Sequence, residues 1–352
     1  MNRPEMPKYR VSQKIAGVII AVAAALLTPL LAGFSTTVIA FTLLNALLFS
    51  MSGMIVAFFS ILLDVLAFGV VFGAPGALVA MFAVALPSAI IIRNVYWRRN
   101  FGTQITHAII AQIVGVLAAL VTARLFVGSD IIGALVAQMR SLVEMLEPGV
   151  VDYILDLFFD IGDVPDTMTE AQLIGGVLDS ARRANYLDGY AATLSASLRL
   201  TLPGYLLSSA CLTGILGASF SAKLMDKKLP MPGSYVRLGR WYTPWKISIG
   251  VLGIWCVAWL LAMLGIDGGD AVQIAVQQLM TLVFRVQAAA SMERRLIRMN
   301  MRPAVRTVLI IAFQLLMPIE FVIYYGAFSA LFGTTGASIQ IQALRAKNKK
   351  DE

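Results

Sequence analysis

The chain alternates between long apolar stretches and short polar connections. About nine stretches approach membrane length, at roughly residues 14–34, 37–51, 54–73, 76–93, 104–127, 189–222, 246–265, 270–292 and 303–332. A helix rises ~1.5 Å per residue, so ~20 apolar residues cross the ~30 Å hydrocarbon core of a bilayer. Backbone groups in lipid must be paired internally, which leaves helices or a closed barrel. A barrel needs alternating segments, and stretches such as Ile15–Ala25 do not alternate. The pattern predicts an all-α fold: a polytopic integral membrane helical bundle of about nine transmembrane helices (8–10).

Turn residues sit between the early stretches: Gly33–Thr36, Met51–Met54 and Gly73-Ala-Pro-Gly76. They predict tight hairpins among the first four spans. The apolar series is broken once, by a 61-residue insert from Gly128 to Asp188 with eleven acidic and three basic side chains. Within it, Ile131, Leu135, Leu142 and Leu146 fall near one helical face, and Val151–Phe159 repeats the pattern. Pro148, Gly149, Gly162 and Pro165 punctuate these amphipathic helices, and Asp166 or Thr167 starts a further helix through Ala184. The organisation is thus a five-helix membrane region (1–127), an extracytoplasmic helical insert (128–188), a second membrane region of about four helices (189–345) and a charged tail (346–352). The insert reads as a packed lid or collar, a ligand-gating lid, or a protein-contact surface.

Charge fixes the orientation. Eighteen of the 28 Lys and Arg residues lie in the N-terminal head, Arg93–Arg99, Lys223–Lys246 and Arg294–Arg306, all on one side of the membrane by this count of spans. By the positive-inside rule that side is the cytoplasm, with the N-terminus there and the insert outside. A ninth crossing leaves Arg345, Lys347, Lys349 and Lys350 outside, so either the last segment bends back at Pro318 and Gly326 or the count is off by one. The basic head before residues 14–34 resembles a secretory signal, but the apolar run exceeds a signal core and reads as an uncleaved first helix. Composition agrees with a multi-pass bacterial cell-membrane protein: 59% hydrophobic, 14% charged, mean hydropathy +0.79.

Ionisable groups at mid-membrane cost about 2.5 to 3.5 kcal/mol on insertion scales and demand partners or a wet cavity. Asp64, Arg199, Arg285 and Glu320 are such groups. Arg199 and Glu320 share a depth of roughly 16 to 18 Å below the outer surface and are positioned to pair; Asp64 competes for the same arginine. Arg285 lies nearer the cytoplasm, within reach of snorkelling. Gln273 and Gln277 share a helix face, and with Gln314 and Glu320 they make the C-terminal half the more polar one. These residues form either helix-locking ion pairs and hydrogen bonds or a polar pocket for a charged solute. Gly17, Ala21 and Ala25 make a small-residue stripe suited to internal packing or to docking another membrane subunit.

No catalytic or metal-binding constellation is present: there is no HExxH, Walker A loop or GxSxG, and His107 is the only histidine. His107 reads as an interface residue, and Cys211 and Cys256 as packing residues inside spans. The chain is expected not to be an enzyme and to need no cofactor. Basic residues spread over loops argue against nucleic acid. Without a nucleotide loop, active transport needs a separate ATPase or an ion gradient.

Gly239-Arg-Trp-Tyr-Thr-Pro-Trp-Lys246 precedes the seventh span, with Trp241, Tyr242 and Trp245 as interface anchors. Together with five N-terminal spans, the insert and a terminal hairpin closing on Arg345, it resembles the YybS-like family of bacterial membrane proteins, a domain of unknown function. That family is similar in its N-terminal part to the S components of energy-coupling factor transporters. The resemblance implies a membrane subunit that binds a vitamin-like small solute, docks on a coupling subunit and is energised by a separate ATPase. The docking positions would be Gly17, Ala21 and Ala25. The chain differs in having three extra spans and a larger insert. The alternative expectation is a non-transporting membrane scaffold or regulatory partner.

Overall fold

The computed structural model describes residues 7–28, 34–128, 131–161, 164, 169–230, 233–243 and 245–332. The charged tail, Arg345, Gly33, Gly162, Pro165, Asp166 and Thr167 lie outside the described residues, as do the side chains of Ile131 and Trp245. The described residues hold helices and no strand. In order they are α1 (Val11–Leu27), α2 (Phe34–Ser52), α3 (Met54–Ala80), a π-helical turn (Met81–Ala85), α4 (Leu86–Tyr96), α5 (Phe101–Val127), α6 (Ile131–Glu144), α7 (Pro148–Phe159), α8 (Glu170–Gly175) and α9 (Ser180–Lys228). A 3-10 turn (Leu238–Arg240) leads to α10 (Trp245–Met263), α11 (Gly269–Arg298), α12 (Pro303–Leu316) and α13 (Ile319–Phe332).

Four helical segments are long and apolar enough to cross a membrane: Met54–Tyr96, Phe101–Phe126, Ser180–Lys228 and Lys246–Met263. Shorter apolar helices are Val11–Leu27, Thr37–Ser52, Pro303–Leu316 and Ile319–Phe332. By length and composition this set is compatible with an integral membrane protein. Gly269–Arg298, the expected eighth span, is not in either group. Its middle packs among the C-terminal helices, with Met280, Phe284, Gln287 and Ala288 buried, and there Arg285 and Gln287 find protein partners.

The expected hairpin at Gly73-Ala-Pro-Gly76 is present inside Met54–Tyr96. Gly73 leaves helical geometry (φ 72°, ψ −167°), and Pro75 follows it. A Cβ on Gly69 would stand 3.2 Å from the Ala77 Cβ, whereas eight residues of straight helix span ~12 Å. The second arm then carries the π turn. Gln112 on α5 donates from Nε2 to the Ala83 carbonyl at 3.2 Å, supplying a donor to a carbonyl of that looser turn. Ala46, Phe49, Ala57, Ile61, Ile91 and Ala108 make the core among α2, α3, α4 and α5.

Two expected spans have different limits. Residues 189–222 belong to the 49-residue helix α9, interrupted only by Pro203, which stays helical. Residues 303–332 are two 14-residue helices, not one. Met317 is extended (ψ 144°) before Pro318, as the residue preceding proline favours. The rings of Phe313 and Tyr325 are 5.5 Å apart, although twelve helical residues would separate them by ~18 Å. The bend-back at Pro318 is therefore real, while Gly326 lies inside α13 and bends nothing.

The chain divides into two compact units, Met1–Ala119 with Gly204–Glu352, and Leu120–Pro203. The second encloses the expected insert and is wider at both ends. Its core is Val151, Leu155 and Leu187, packed by Val143, Phe159, Ile161, Tyr186 and Tyr190. Arg140 bonds Glu144 at 2.8 Å and also pairs with Asp188. The expected helix through Ala184 is instead broken after α8. Gly176 (φ 77°) turns the chain so that the Val177 and Leu178 N–H groups donate to Asp152 Oδ2 at 2.7 and 2.9 Å. Arg183 Nε completes the arrangement, 2.6 Å from Asp152 Oδ1.

Candidate functional site

The first unit buries one carboxylate deeply. Asp64 on α3 has no exposed surface, and neither do Asn45 on α2 and Ser88 on α4. Asn45 Nδ2 donates to Asp64 Oδ2 at 2.8 Å and lies 3.4 Å from Ser88 Oγ, so three helices meet at one amide. Thr42 precedes Asn45 by three residues and Ser60 precedes Asp64 by four, which puts each on the same helix face as its partner. Four oxygens on these facing stripes have no hydrogen-bond partner among the described residues: Thr42 Oγ1, Asn45 Oδ1, Ser60 Oγ and Asp64 Oδ1. Buried acceptors are normally satisfied, so such a group is a departure with a chemical meaning. A carboxylate, an amide oxygen and two hydroxyls suit a ligand carrying N–H donors or positive charge. Asn45 was missed in the sequence; its signal was an amide set among Leu43, Leu44, Ala46 and Leu47.

Among the C-terminal helices, Arg285, expected to snorkel, finds a protein partner instead. Its Nε donates to Gln314 Oε1 and its Nη2 to the Gln314 carbonyl, both at 3.0 Å. Gln314 Nε2 returns a bond to the Arg285 carbonyl at 3.2 Å. Gln314 sits in the last turn of α12, whose carbonyls lack helical donors, and a cation there also complements the helix dipole. Arg285 thus caps α12 and does not need to snorkel. Replacing Arg285 with Met leaves the α12 carbonyl and the Gln314 amide short of a donor, a loss of ~2 kcal/mol. Amide exchange in the last turn of α12 is expected to quicken roughly 30-fold in that variant.

Gln287 links three elements: its Oε1 accepts from Thr243 N at 2.9 Å, and its Nε2 reaches Ser329 Oγ at 3.4 Å. The expected polar face of Gln273 and Gln277 is not its counterpart. Gln273 is half-buried, Gln277 is exposed, and neither makes a side-chain hydrogen bond among the described residues. Gln287 and Gln314 carry that role. Arg199 is exposed in the Leu120–Pro203 unit, with Nε 3.5 Å from Ser195 Oγ. Glu320 is exposed in the first turn of α13, where an acidic side chain complements the helix N-terminus. Their pairing stays an expectation. Asp64 takes Asn45 rather than arginine.

The small-residue stripe faces inward. Gly17 and Ala21 are buried, and Ala25 is half-buried. A Cβ on Gly17 would come within 2.5 Å of Ser52 Oγ and 2.8 Å of Val56 Cγ1. The close approach serves α1 against α2 and α3, so Gly17 and Ala21 are not a free docking face. Trp241 also works internally: Nε1 donates to the Val236 carbonyl at 2.8 Å, its ring packs 5.4 Å from that of Phe101, and its carbonyl accepts from Arg294 Nη1 at 2.6 Å. Tyr242 is exposed, as an interface anchor would be. His107 Nδ1 lies 3.3 Å from Asn94 Oδ1. No group of His, Cys, Asp and Glu able to hold a metal occurs among the described residues. In comparisons with known proteins, the chain matches no family model, no curated protein and no solved structure.

Proposed function

We propose that the chain is a membrane subunit that binds a small solute within its N-terminal helices and depends on partner proteins for energy, as the resemblance to YybS-like proteins and S components implies. One observation supports this reading above others: the buried Asp64 centre with its four unpartnered oxygens. Charged groups inside a membrane are costly, and a carboxylate held by one neutral amide lacks the cation that would offset it. A solute bearing a protonated amine or several N–H donors supplies that complement. The bundle lies in a bacterial cell membrane, with the insert outside.

The rival reading is a scaffold or regulatory partner without transport. The full burial of the Asn45–Asp64 bond between α2 and α3 favours it, because a helix lock looks the same. Mass spectrometry of small molecules co-purifying with the detergent-extracted chain separates the two. A reproducible ligand is expected with the wild-type protein, and Asp64→Asn should lower its occupancy by about 10- to 100-fold, the value of one charge-assisted hydrogen bond. A ligand retained equally by both proteins removes Asp64 from the site. No ligand above that of an unrelated membrane protein supports the scaffold.

A further inference from the structure

Helices α4 and α5 run antiparallel from the turn that joins them, and their facing surfaces enclose a groove of about 400 Å³. On α4 it is lined by Leu86, Ile90, Arg93, Asn94 and Trp97, a progression from apolar to basic and aromatic towards the turn. Arg99 follows in the turn itself, and α5 contributes His107, then Ile110, Ala111 and Val114, a progression in the reverse sense. The groove therefore has a cationic, hydrogen-bonding head and an apolar tail. From His107 to Val114 the tail extends ~10 Å.

Three observations say what fits. Arg93 and Arg99 are exposed, and neither guanidinium meets an acceptor among the described residues. Asn94 is only 5% exposed, yet its Nδ2 has no partner among the described residues, while its Oδ1 lies 3.3 Å from His107 Nδ1. With His107 protonated at Nδ1, that contact occupies the amide oxygen and leaves the buried N–H groups unpartnered beside the head of the groove. The tail is open, with Ile110 53% and Val114 50% exposed. Two guanidiniums and an amide donor match phosphate oxygens, and an apolar channel continuing from them matches an alkyl chain. Trp97 beside the arginines is the side chain that favours the headgroup level of a bilayer.

We propose that this groove holds one anionic phospholipid, with its phosphodiester on Arg93, Arg99 and Asn94 and an acyl chain along Leu86, Ile90, Ile110 and Val114. The site depends only on the chain being a membrane protein. It is independent of the Asp64 centre.

The test is native mass spectrometry of the full chain in mild detergent, titrated with dioleoyl phosphatidylglycerol or dioleoyl phosphatidylcholine. Preferential retention of a single phosphatidylglycerol is expected. Arg93→Gln with Arg99→Gln should weaken it roughly 30-fold, since each basic group near an anionic headgroup contributes about a factor of five. Ile110→Trp, which fills the tail and leaves every charge in place, should weaken it as well. Equal retention of both lipids, or a preference that survives both variants, overturns the proposal. Displacement of the lipid by millimolar glycerol 3-phosphate identifies a site for the free anion and overturns it too. So does a change of oligomeric mass in Ile110→Trp with lipid retention intact, which would assign the groove to a second copy.

Discussion

Gly326→Leu is expected to separate α13 from α11 and to lower the apparent melting temperature in detergent more than any other single change described above. A Cβ at Gly326 would lie 2.0 Å from the Phe284 carbonyl oxygen and 2.7 Å from its carbonyl carbon. Those are backbone atoms in a helix interior, so no rotamer change relieves the clash. Phe284 is fully buried and forms, with Met280 and Ala330, the core packed by Trp255 and Ile323. Overpacking of this kind costs about 3 kcal/mol or more. Even Gly326→Ala meets the same oxygen and should share most of the loss. Ala330→Gly, one turn further along, removes a methyl without a clash and should cost only about 1 kcal/mol. A melt of Gly326→Leu within a degree or two of wild type would show that the α11–α13 approach is looser than described.

Asp152→Ala should open the Leu120–Pro203 unit, with a cost of about 3 to 5 kcal/mol, because it strands a paired arginine and two backbone donors together. Asp152 has no side-chain exposure and Arg183 only 17%. Burial pushes the Asp152 carboxyl upward, but the Arg183 bond and the N–H groups of Leu178 and Val177 more than offset that and hold it below the ordinary range. The sign follows from a depressed folded value. The stabilisation is fully present above the unfolded pKa of about 3.9 and fades as pH falls through the lower folded value. Trypsin reads this directly in the full chain at mildly alkaline pH, since Arg183 is held in the wild type and should be cut rapidly in Asp152→Ala. Hydrogen exchange at Val177 and Leu178 gives the pH arm: protection should persist to below about pH 4 in the wild type and be absent at every pH in the variant. Equal protection in both proteins would remove Asp152 as the anchor.

How much of this was legible in the chain depends on the range of the interaction. The Gly73-Ala-Pro-Gly76 hairpin, the bend at Pro318 and the amphipathic α6 and α7 are written in local residues, and they stand where the pattern put them. The extent of α9 was not, because nothing between Ser180 and Lys228 except Pro203 marks an end, and Pro203 is accommodated within the helix. Asp64 was recognised as an intramembrane charge, but its partner was sought among arginines at equal depth. Asn45, nineteen residues away, is chosen by how α2 lies on α3, which no single-chain periodicity reports. The same holds for Arg285, whose partner at Gln314 depends on α12 ending just beyond it. The stripe of Gly17 and Ala21 was visible as a close-approach surface. Which helix approaches it is a tertiary matter, decided by Ser52 and Val56.

The π-helical turn at Met81–Ala85 has a bearing on how this sequence tolerates change. Such a turn holds one residue more than the α-helix around it, so everything after it is rotated by about 100° relative to a continuous helix. Ser88 meets Asn45, and Asn94 meets His107, only in that rotated phase. Deleting any one residue of Met81–Ala85 would let the helix close up smoothly and yet swing both contacts onto another face. Substitution of the exposed Met81 should therefore be mild where a single-residue deletion is ruinous, and aligning the turn with any regular helix requires a one-residue gap.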